Sequence, residues 1–206
     1  MPKEKERLVS ARREEIMNAC LELYQTGSFK DITIKDIAKY TSFSRPSIYN
    51  YFETKEEIFL GLFQREYEEW TKDLENAAKS CEGAGAQAFA EAIGRSLEKR
   101  SIMLKLLAMN LYDMEGNSRT ERLIDFKCAY RKALEALEKA YMAALPERGA
   151  ADAEGFLRGL MPFMCGIYPY TFITEKQRAA MAQAGVHFRQ ESVYELACHV
   201  ILQLLK

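Results

Sequence analysis

The stretch from residue 33 to residue 55, TIKDIAKYTSFSRPSIYNYFETK, constrains the fold more than any other part of the chain. Thr33 followed three residues later by Asp36 has the form of a capping box, which predicts that a helix begins there. The next apolar side chains repeat on one face at helical spacing, and they are Ile34, Ile37 and Ala38. A break at residues 41–43 then separates this helix from a second one.

The second helix is short and has two different faces. Ser44 is a good N-cap for it, and Pro46 lies in the first turn, where the missing N–H costs nothing. Ile48 and Phe52 continue inward, and Phe43 is the apolar residue expected to join the two helices. The other face carries hydrogen-bonding groups, which are Arg45, Ser47, Tyr49 and Asn50. A short helix with an apolar back and a donor-rich front, held by a preceding helix, predicts a helix-turn-helix.

Composition bounds the class of protein around this motif. A length of 206 residues allows one large domain or a small domain followed by a larger one. Five prolines and eleven glycines are too few for a turn-rich β protein. With a net charge of −1, the chain as a whole is not basic. Any nucleic-acid binding must therefore depend on a local positively charged patch.

The five cysteines are far apart and include no CxxC pair, which favours buried free thiols of a reducing compartment over a redox sensor. The charged start of the chain, MPKEKERLVSARREE, shows no signal peptide. No apolar run approaches the roughly 18 residues of a membrane span. From these observations we expect a soluble, cytoplasmic protein.

The rest of the chain predicts helices throughout. A first helix is expected from about Ser10 to Gln25, and Thr54 with Glu57 should cap a long helix reaching about Lys79. Two helices are expected between residues 86 and 114. The remaining predicted helices begin near Ser118, cover about 151–170 with interruptions at Pro162 and Pro169, begin at Thr174, and cover 191–205. No strand alternation is visible, so we predict an all-α chain of about nine or ten helices.

The first 65 residues or so resemble the tetracycline-repressor (TetR) family of bacterial transcription regulators. The family pattern contains T-x-x-D-I-A, then A-G-V-S, then a tyrosine and phenylalanine before a Lys-Glu pair. The matching residues here are Thr33-x-x-Asp36-Ile37-Ala38, Thr41-Ser42-Phe43-Ser44, Tyr49-x-Tyr51-Phe52 and Lys55-Glu56. One departure is Ser42, because the family usually has glycine there. We expect the turn to form with serine at some cost in backbone energy.

The resemblance implies a DNA-binding domain over residues 9–69, with its motif at 33–52, and a helical effector-binding and dimerisation domain over residues 70–206. It also implies a homodimer that binds a palindromic double-stranded DNA operator as a repressor. A small hydrophobic or amphipathic effector would release it. An alternative is a DNA-binding regulator controlled by a protein partner without a small ligand. No cofactor or metal is expected.

Candidate DNA contacts follow from the exposed face of the motif. Arg45 is the candidate for a bidentate contact to guanine, and Pro46 for a thymine methyl. Ser47 and Asn50 could reach bases or phosphates, and Lys35 occupies a family position that reaches the major groove. The predicted phosphate contacts are Thr33, Ser44, Tyr49, Tyr51 and Lys55.

Three of these residues have plain structural alternatives. Tyr51 could belong to the core, Thr33 could act only as a cap, and Lys55 could be a solvated lysine at a helix start. The charge of residues 30–55, five basic against three acidic, is only +2. A dimer doubles this charge and places two reading helices about 34–36 Å apart, or farther apart on distorted DNA.

Methionine and aromatic residues of the larger domain are candidates for an adaptable apolar pocket. They are Trp70, Met103, Leu107, Tyr112, Phe126, Tyr130, Met161, Met164, Tyr168 and Phe172. The alternative is that most of them form ordinary core or dimer interface. Trp70 lies on the long helix that follows the motif, so a ligand touching it could tilt that helix. The last helix, with Leu202, Leu204 and Leu205, is a candidate for the dimer interface.

An enzyme is not expected. The chain has only two histidines, His187 and His199, and neither belongs to an HExxH or Glu-x-x-His pair. The sequence also contains no glycine-rich phosphate loop and no nucleophile elbow.

Overall fold

The structure is a computed structural model that describes residues 2–109 and 111–206. Its helices are α1 (Pro2–Thr26), α2 (Ile34–Ala38), α3 (Arg45–Ile48), α4 (Lys55–Ser80), α5 (Gly85–Glu98), α6 (Ser101–Leu107), α7 (Leu111–Gly116), α8 (Thr120–Ala144), α9 (Ala150–Thr171), α10 (Glu175–Gln183) and α11 (Val193–Leu204). The described residues contain no strand, and the all-α prediction is confirmed.

The eleven helices exceed the expected nine or ten because residues 85–116 form three helices rather than two. The break between α5 and α6 falls at Arg100, as the sequence predicted for this region. The side chain of Arg100 donates from Nε and Nη2 to one carboxylate oxygen of Asp73, at 2.9 and 2.7 Å. This ion pair is about four-fifths buried, and it holds the break in place.

Two further helix boundaries differ from the predictions. The first helix begins at Pro2 rather than near Ser10, because proline is well suited to the first helical position and no breaker follows it. Helix α9 runs without interruption through Pro162 and Pro169, which lie on exposed positions. Each proline removes one helical hydrogen bond and crowds the carbonyl four residues earlier, so it weakens α9 locally without ending it.

The described residues form two compact units. The first unit contains residues 2–65 and 111–129, and the second contains Glu66–Met109 and Tyr130–Lys206. Helices α4 and α8 each contribute residues to both units. The domain boundary at residues 69 and 70 stays a prediction.

The core of the first unit is built on aromatic contacts. Phe59 of α4 is fully buried and packs edge-on against Tyr24, at 5.0 Å between ring centroids, and against Phe29, at 4.8 Å. Phe63, one turn later, packs against Phe126 of α8 at 5.0 Å. Ile37 and Ile48, the inward residues of α2 and α3, are both fully buried. Packing against this core holds two helices that are too short to be stable alone.

The second unit depends on close helix packing. A Cβ added to Gly94 of α5 would lie 2.7 Å from the Cys198 sulfur of α11, and one added to Gly159 of α9 would lie 2.6 Å from a methyl carbon of Leu204. A Cβ at Gly94 would also lie 3.2 Å from the Tyr194 backbone carbonyl, so α11 restricts this position to glycine more strictly than position 159, where only the Leu204 side chain is met. Phe89, Tyr141 and Phe156 form an aromatic cluster with centroid distances of 5.3 to 5.7 Å.

A buried carboxylate fixes the beginning of α4 within the first unit. Glu57 is 1% exposed, and its carboxylate accepts hydrogen bonds from Arg119 Nε and Nη2, both at 2.7 Å. It also accepts from the backbone N–H groups of Glu53, at 2.9 Å, and Arg119, at 3.1 Å. Burial raises the pKa of Glu57, but these hydrogen bonds outweigh burial and hold the pKa at about 2.

The Thr54 hydroxyl accepts from the Glu57 N–H at 3.2 Å, as a cap of α4 should. It also donates to the Asn117 carbonyl at 2.9 Å. The predicted cap at Ser118 is wrong, because that hydroxyl donates to the Met114 carbonyl instead. Helix α8 begins after Arg119, and Arg119 is held by Glu57.

We expect Arg119→Ala to lower the free energy of unfolding at pH 7 by about 2–3 kcal/mol, because it leaves the buried Glu57 carboxylate without its charged partner. This is less than for a fully buried pair, since Arg119 is 38% exposed. Urea unfolding followed by circular dichroism measures the difference. The control is Arg131→Ala, which breaks the exposed Arg131–Glu135 pair and should cost under about 0.5 kcal/mol.

The difference between wild type and Arg119→Ala should also depend on pH. A carboxylate whose folded pKa is depressed stabilises the fold above its ordinary pKa of 4.5, and this contribution disappears as pH falls towards 2. Equal loss of stability in the Arg119 and Arg131 variants would contradict the role of the Glu57 cluster.

Candidate nucleic-acid interface

The residues predicted to contact DNA lie on or beside α2, α3 and the start of α4, all in the first unit. Seven are exposed, and they are Thr33, Lys35, Ser44, Arg45, Pro46, Tyr49 and Asn50. Three are half-buried, and they are Ser47, Tyr51 and Lys55. The inward residues Ile48 and Phe52 are fully buried, so α3 has the apolar back and polar front that the sequence indicated.

Arg45 lies at the exposed beginning of α3. Its Nη2 donates to the Tyr49 hydroxyl at 3.1 Å, one turn along the helix, and its guanidinium carbon lies 5.8 Å from the centre of the Tyr49 ring. This contact uses one of the five N–H donors of the guanidinium. Both side chains are exposed, so the arginine is aligned by Tyr49 while its remaining donors face solvent.

Ser44 occupies the N-cap position of α3 with extended backbone, and Pro46 lies in the first turn, as predicted. The Ser44 hydroxyl makes no capping hydrogen bond to the backbone. It lies 3.1 Å from the Ser47 hydroxyl instead. The two hydroxyls therefore form a pair at the exposed start of the helix.

Helix α1 holds the turn between α2 and α3. The Ser42 N–H donates to the Glu15 carboxylate at 2.5 Å, and Arg12 Nη1 donates to the Ser42 hydroxyl at 3.2 Å. The hydrogen bonds from Ser42 also lower the pKa of Glu15. The Arg12 guanidinium lies 4.9 Å from the centre of the Phe43 ring. Sequence reasoning missed Arg12 and Glu15, although their spacing of three places both on one face of α1.

The expected backbone cost at Ser42 is absent. No non-glycine residue among those described has a positive φ, so the turn forms without the left-handed conformation that favours glycine. The prediction that the turn survives with serine is confirmed, and the prediction of a cost is wrong. The physical reason is that the turn uses ordinary backbone angles and gains two contacts from α1.

Lys55 and Thr33 both have partners within the protein. Lys55 Nζ donates to the carbonyl of Phe29 at 2.8 Å and to that of Ile32 at 3.2 Å, and it lies 4.2 Å from the centre of the Phe29 ring. The alternative of a solvated lysine is therefore wrong. The Thr33 hydroxyl accepts from the Asp36 N–H at 3.2 Å and donates to the Asp36 carboxylate at 2.5 Å, which confirms the predicted cap.

Tyr51 packs against Phe43, with 6.1 Å between ring centroids. It is half-buried, so it belongs partly to the core and partly to the surface. The hydroxyl end of a tyrosine in such a place can reach a polar partner while the ring stays packed.

The residues predicted to line a ligand pocket fall into both units. Tyr112 and Phe126 belong to the first unit, where Tyr112 is 85% exposed and Phe126 is buried. In the second unit four are buried, which are Trp70, Met103, Leu107 and Met164, and three are half-buried, which are Tyr130, Met161 and Tyr168. Phe172 is exposed and stacks on Tyr168 at 4.4 Å. Their role in ligand binding stays a prediction.

Trp70 is fully buried in the second unit, and its indole N–H donates to the Ser96 hydroxyl at 3.0 Å. A separate surface pocket of about 380 Å³ lies between α4 and α8 in the same unit. Its lining consists of Glu75, Ala78, Lys79, Glu82, Ala136, Lys139 and Ala143. None of the predicted ligand residues contributes to this pocket, whose lining combines three alanines with four charged side chains.

The described residues contain no group of three or more His, Cys, Asp or Glu side chains that could hold a metal ion. All five cysteines are free thiols, but Cys128 and Cys165 are exposed, so the prediction of buried thiols is wrong for these two. Among these residues, no helix combines the length and the apolar character needed to cross a membrane.

Ser42→Gly should lower the free energy of unfolding by about 0.5–1 kcal/mol, because glycine adds freedom to the unfolded chain and the turn needs no positive φ. Ser42→Ala is the control, since it loses the same Arg12 contact without that added freedom. It should cost less than about 0.5 kcal/mol, as is usual for a substitution at an exposed position. Thermal or urea unfolding of the three proteins measures the difference. A more stable glycine variant would contradict the observed turn geometry.

Comparison with known proteins identifies the family. Residues 16–62 match the family described as bacterial regulatory proteins, tetR family, and residues 64–202 match the family described as tetracyclin repressor-like, C-terminal domain. The second match alone covers more than half of the chain.

One curated relative is similar over part of its sequence. An uncharacterised helix-turn-helix transcriptional regulator of Bacillus subtilis (strain 168), YfiR, is 29% identical over 68 residues, which is 33% of each chain. The similar region thus spans about a third of that curated relative.

Two solved structures share the fold. A regulator assigned to the TetR family from Mesorhizobium loti MAFF303099 matches with a TM-score of 0.61 at 14% identity, covering 96% of both chains. The MbdR regulator from Azoarcus sp. CIB matches with a TM-score of 0.52 at 18% identity, covering 94% of this chain and 98% of that one. Proteins of the family are transcriptional regulators and not enzymes. With both family matches in sequence order and the helix-turn-helix in place, this chain belongs to the TetR family of DNA-binding transcriptional regulators.

Proposed function

We propose that this regulator is a cytoplasmic repressor that binds a palindromic operator as a homodimer. The observation that carries the proposal is the exposed polar face of α3, which presents Arg45 and Asn50 on a helix whose other face is buried. A helix of this kind fits the major groove, where base edges offer distinct patterns of donors and acceptors.

Within this proposal the ten residues divide into two groups. Arg45 reads guanine, Pro46 touches a thymine methyl, and Ser47, Asn50 and Lys35 reach bases or nearby phosphates. The phosphate contacts are made by Thr33, Ser44, Tyr49, Tyr51 and Lys55. Arg45 has to exchange its hydrogen bond to Tyr49 for one to a base, and this releases the Tyr49 hydroxyl for a phosphate.

Dimerisation is part of the proposal because the helix-turn-helix region of one copy carries little net charge. The motif region carries a net charge of only +2, so two copies on a palindrome strengthen both affinity and specificity. Exposed apolar side chains on or just after α9 and α11, among them Tyr170, Phe172 and Leu204, support an interface there. Such residues are costly to leave in water when they lie together.

A small hydrophobic or amphipathic effector completes the proposal. Its support is the concentration of methionine and aromatic residues in the second unit, including Trp70, Met103, Met161, Met164 and Tyr168, which can rearrange around an apolar molecule. The alternative is control by a protein partner without a small ligand. The full burial of Trp70, Met103 and Met164 favours this alternative, because a well-packed core leaves less room for an effector.

Arg45→Ala should weaken binding to the operator by about 1–3 kcal/mol and relax the preference at one base pair, because it removes a bidentate contact. Binding-site selection followed by footprinting, with titrations of single-base operator variants, measures both effects. Arg45→Lys keeps the positive charge but lacks the paired N–H donors of a guanidinium. It should therefore lose most of the base preference while weakening affinity less than Arg45→Ala does.

Lys39→Ala is the matched control for charge. Lys39 is exposed at the C-cap of α2 and pairs with Asp36, so its loss should weaken binding about equally for all sequences. If Arg45→Ala keeps the full sequence preference, another residue reads the base and the assignment of Arg45 is wrong.

An effector that binds beside Trp70 should change the fluorescence of this single tryptophan. The indole is fully buried and hydrogen-bonded to Ser96, so a nearby ligand alters its surroundings. Titration with compounds that release the protein from its operator measures the change, and Trp70→Phe serves as the blank. Constant emission during release by every such compound would exclude Trp70 from the effector site.

A further inference from the structure

The Arg12 side chain of α1 lies beside the turn that leads into α3. Its Nη1 donates to the Ser42 hydroxyl at 3.2 Å, and its guanidinium carbon lies 4.9 Å from the centre of the Phe43 ring. These two residues come directly before Ser44, the N-cap of α3. The Arg12 guanidinium is therefore held close to the beginning of the helix whose exposed face carries Arg45.

Most of the hydrogen-bonding capacity of Arg12 is unused within the chain. A guanidinium has five N–H donors, and the contact with Ser42 engages one of them. Its Nε and Nη2 make no hydrogen bond to any residue that the structure describes. The Arg12 side chain is 36% exposed, so a partner from outside the chain can reach it.

The charge of Arg12 is only weakly compensated. Its ion pair among the described residues is with Glu15, and 4.0 Å separates Nη1 from Oε2. The other carboxylate oxygen of Glu15 accepts from the Ser42 N–H at 2.5 Å. Hydrogen bonds from Ser42 are also the main cause of the lowered pKa of Glu15, and the charge of Arg12 contributes less. Glu15 thus binds mainly the turn, and the guanidinium stays available for another anion.

Ser42 and Phe43 supply the two groups that hold Arg12. The hydroxyl accepts a hydrogen bond, and the ring offers its face to the guanidinium. The A-G-V-S pattern of the family has glycine and valine at these positions, which provide neither a hydroxyl nor an aromatic ring. Arg12 is therefore placed by residues at which this chain departs from the family pattern.

We propose that Arg12 is a further DNA contact, which binds a backbone phosphate of the operator beside the beginning of α3. This inference rests on the proposed function, which places α3 in the major groove and Ser44 on a phosphate. Two residues of chain span at most about 7 Å, so Ser42, which holds Arg12, lies within that distance of Ser44. A guanidinium can donate two parallel hydrogen bonds to one phosphate, and Arg12 has enough unused donors to do so.

The contacts with the turn prepare Arg12 for this role. Because the guanidinium already lies against Ser42 and Phe43, it loses less conformational freedom on binding than a fully solvated side chain. A phosphate contact carries no sequence information, so Arg12 would position α3 while Arg45 reads the base. Counting Arg12 and Glu15 together leaves the charge of the motif region at +2, so the gain is a local contact and not a greater total charge.

The salt dependence of operator binding by the full-length protein tests the proposal. Each phosphate neutralised by a protein cation contributes about 0.9 to the slope of log affinity against log salt concentration. Arg12→Gln should therefore reduce this slope by about 0.9 for each copy bound, or about 1.8 for a dimer. The affinity at low salt should fall at least about fivefold, and the preferred base sequence should not change.

Three further variants serve as controls. Ser42→Ala removes the hydrogen bond to Arg12 but keeps the guanidinium, so the slope should stay at the wild-type value. Arg12→Lys keeps the charge without the paired donors, so it should keep the slope and recover part of the affinity. Arg158→Gln makes the same change of charge at an exposed position of α9 and should leave the slope unchanged. Circular dichroism and urea unfolding check that each variant is folded.

Methylphosphonate substitution of the operator locates the contact directly. Each phosphate of one half-site is replaced in turn by an uncharged methylphosphonate, and binding of wild type and Arg12→Gln is compared. At the phosphate that Arg12 contacts, the replacement should weaken wild-type binding at least about fivefold and Arg12→Gln binding less than about twofold, as expected for two changes that remove the same interaction.

The outcomes separate a phosphate contact from a purely structural role. A lower affinity of Arg12→Gln with an unchanged slope shows that Arg12 only supports the turn, and it overturns the proposal. An altered base preference, an unchanged affinity, or a scan in which both proteins respond alike at every phosphate also overturns it. In all these cases the regulator still binds its operator, so the proposed function stands. A wild-type protein that selects no palindromic sequence overturns the proposed function, and the Arg12 contact with it.

Discussion

The Glu57 carboxylate organises the first unit, because four N–H groups from two places in the chain converge on it. It receives the backbone of Glu53 just before α4, and both the backbone and the side chain of Arg119 just before α8. A buried carboxylate is tolerated only when its oxygens are fully hydrogen-bonded, so the approach of these segments is required by the charge itself. The unit that contains the helix-turn-helix therefore also depends on Arg119, which lies far from the motif in sequence.

The same unit uses α1 as a support for its turn. Glu15 and Arg12 bind Ser42 from one side, and the Phe43 ring lies under the Arg12 guanidinium. The angle between α2 and α3 is therefore maintained by polar contacts as well as by the buried Ile37 and Ile48. This turn needs no positive φ, so serine fits it without strain and adds a side-chain contact to α1 that glycine would lack.

Local signals in the sequence predicted the local structure well. The cap at Thr33, the proline in the first turn of α3 and the inward isoleucines were all legible, because each depends on residues within one or two turns. Contacts between residues far apart in the sequence could not be predicted. The pairs Ser42–Glu15 and Glu57–Arg119 join residues 27 and 62 positions apart, and one sequence without relatives carries no sign of such pairing. The continuity of α9 was not predicted for another reason: burial of Phe156, Leu160 and Met164 stabilises the helix through its prolines, and the sequence alone does not show this packing.

Lys55 illustrates how folding can prepare a binding group in advance. Its ammonium is anchored on the carbonyls of Phe29 and Ile32 and lies against the Phe29 ring. A free lysine loses about 2 kcal/mol of side-chain conformational freedom when it is immobilised on a ligand. Here that loss has already occurred during folding, and an ammonium has three donors, of which these carbonyls engage two. A phosphate oxygen approaching the third donor would meet a charge held in place, so its binding would carry little further loss of entropy.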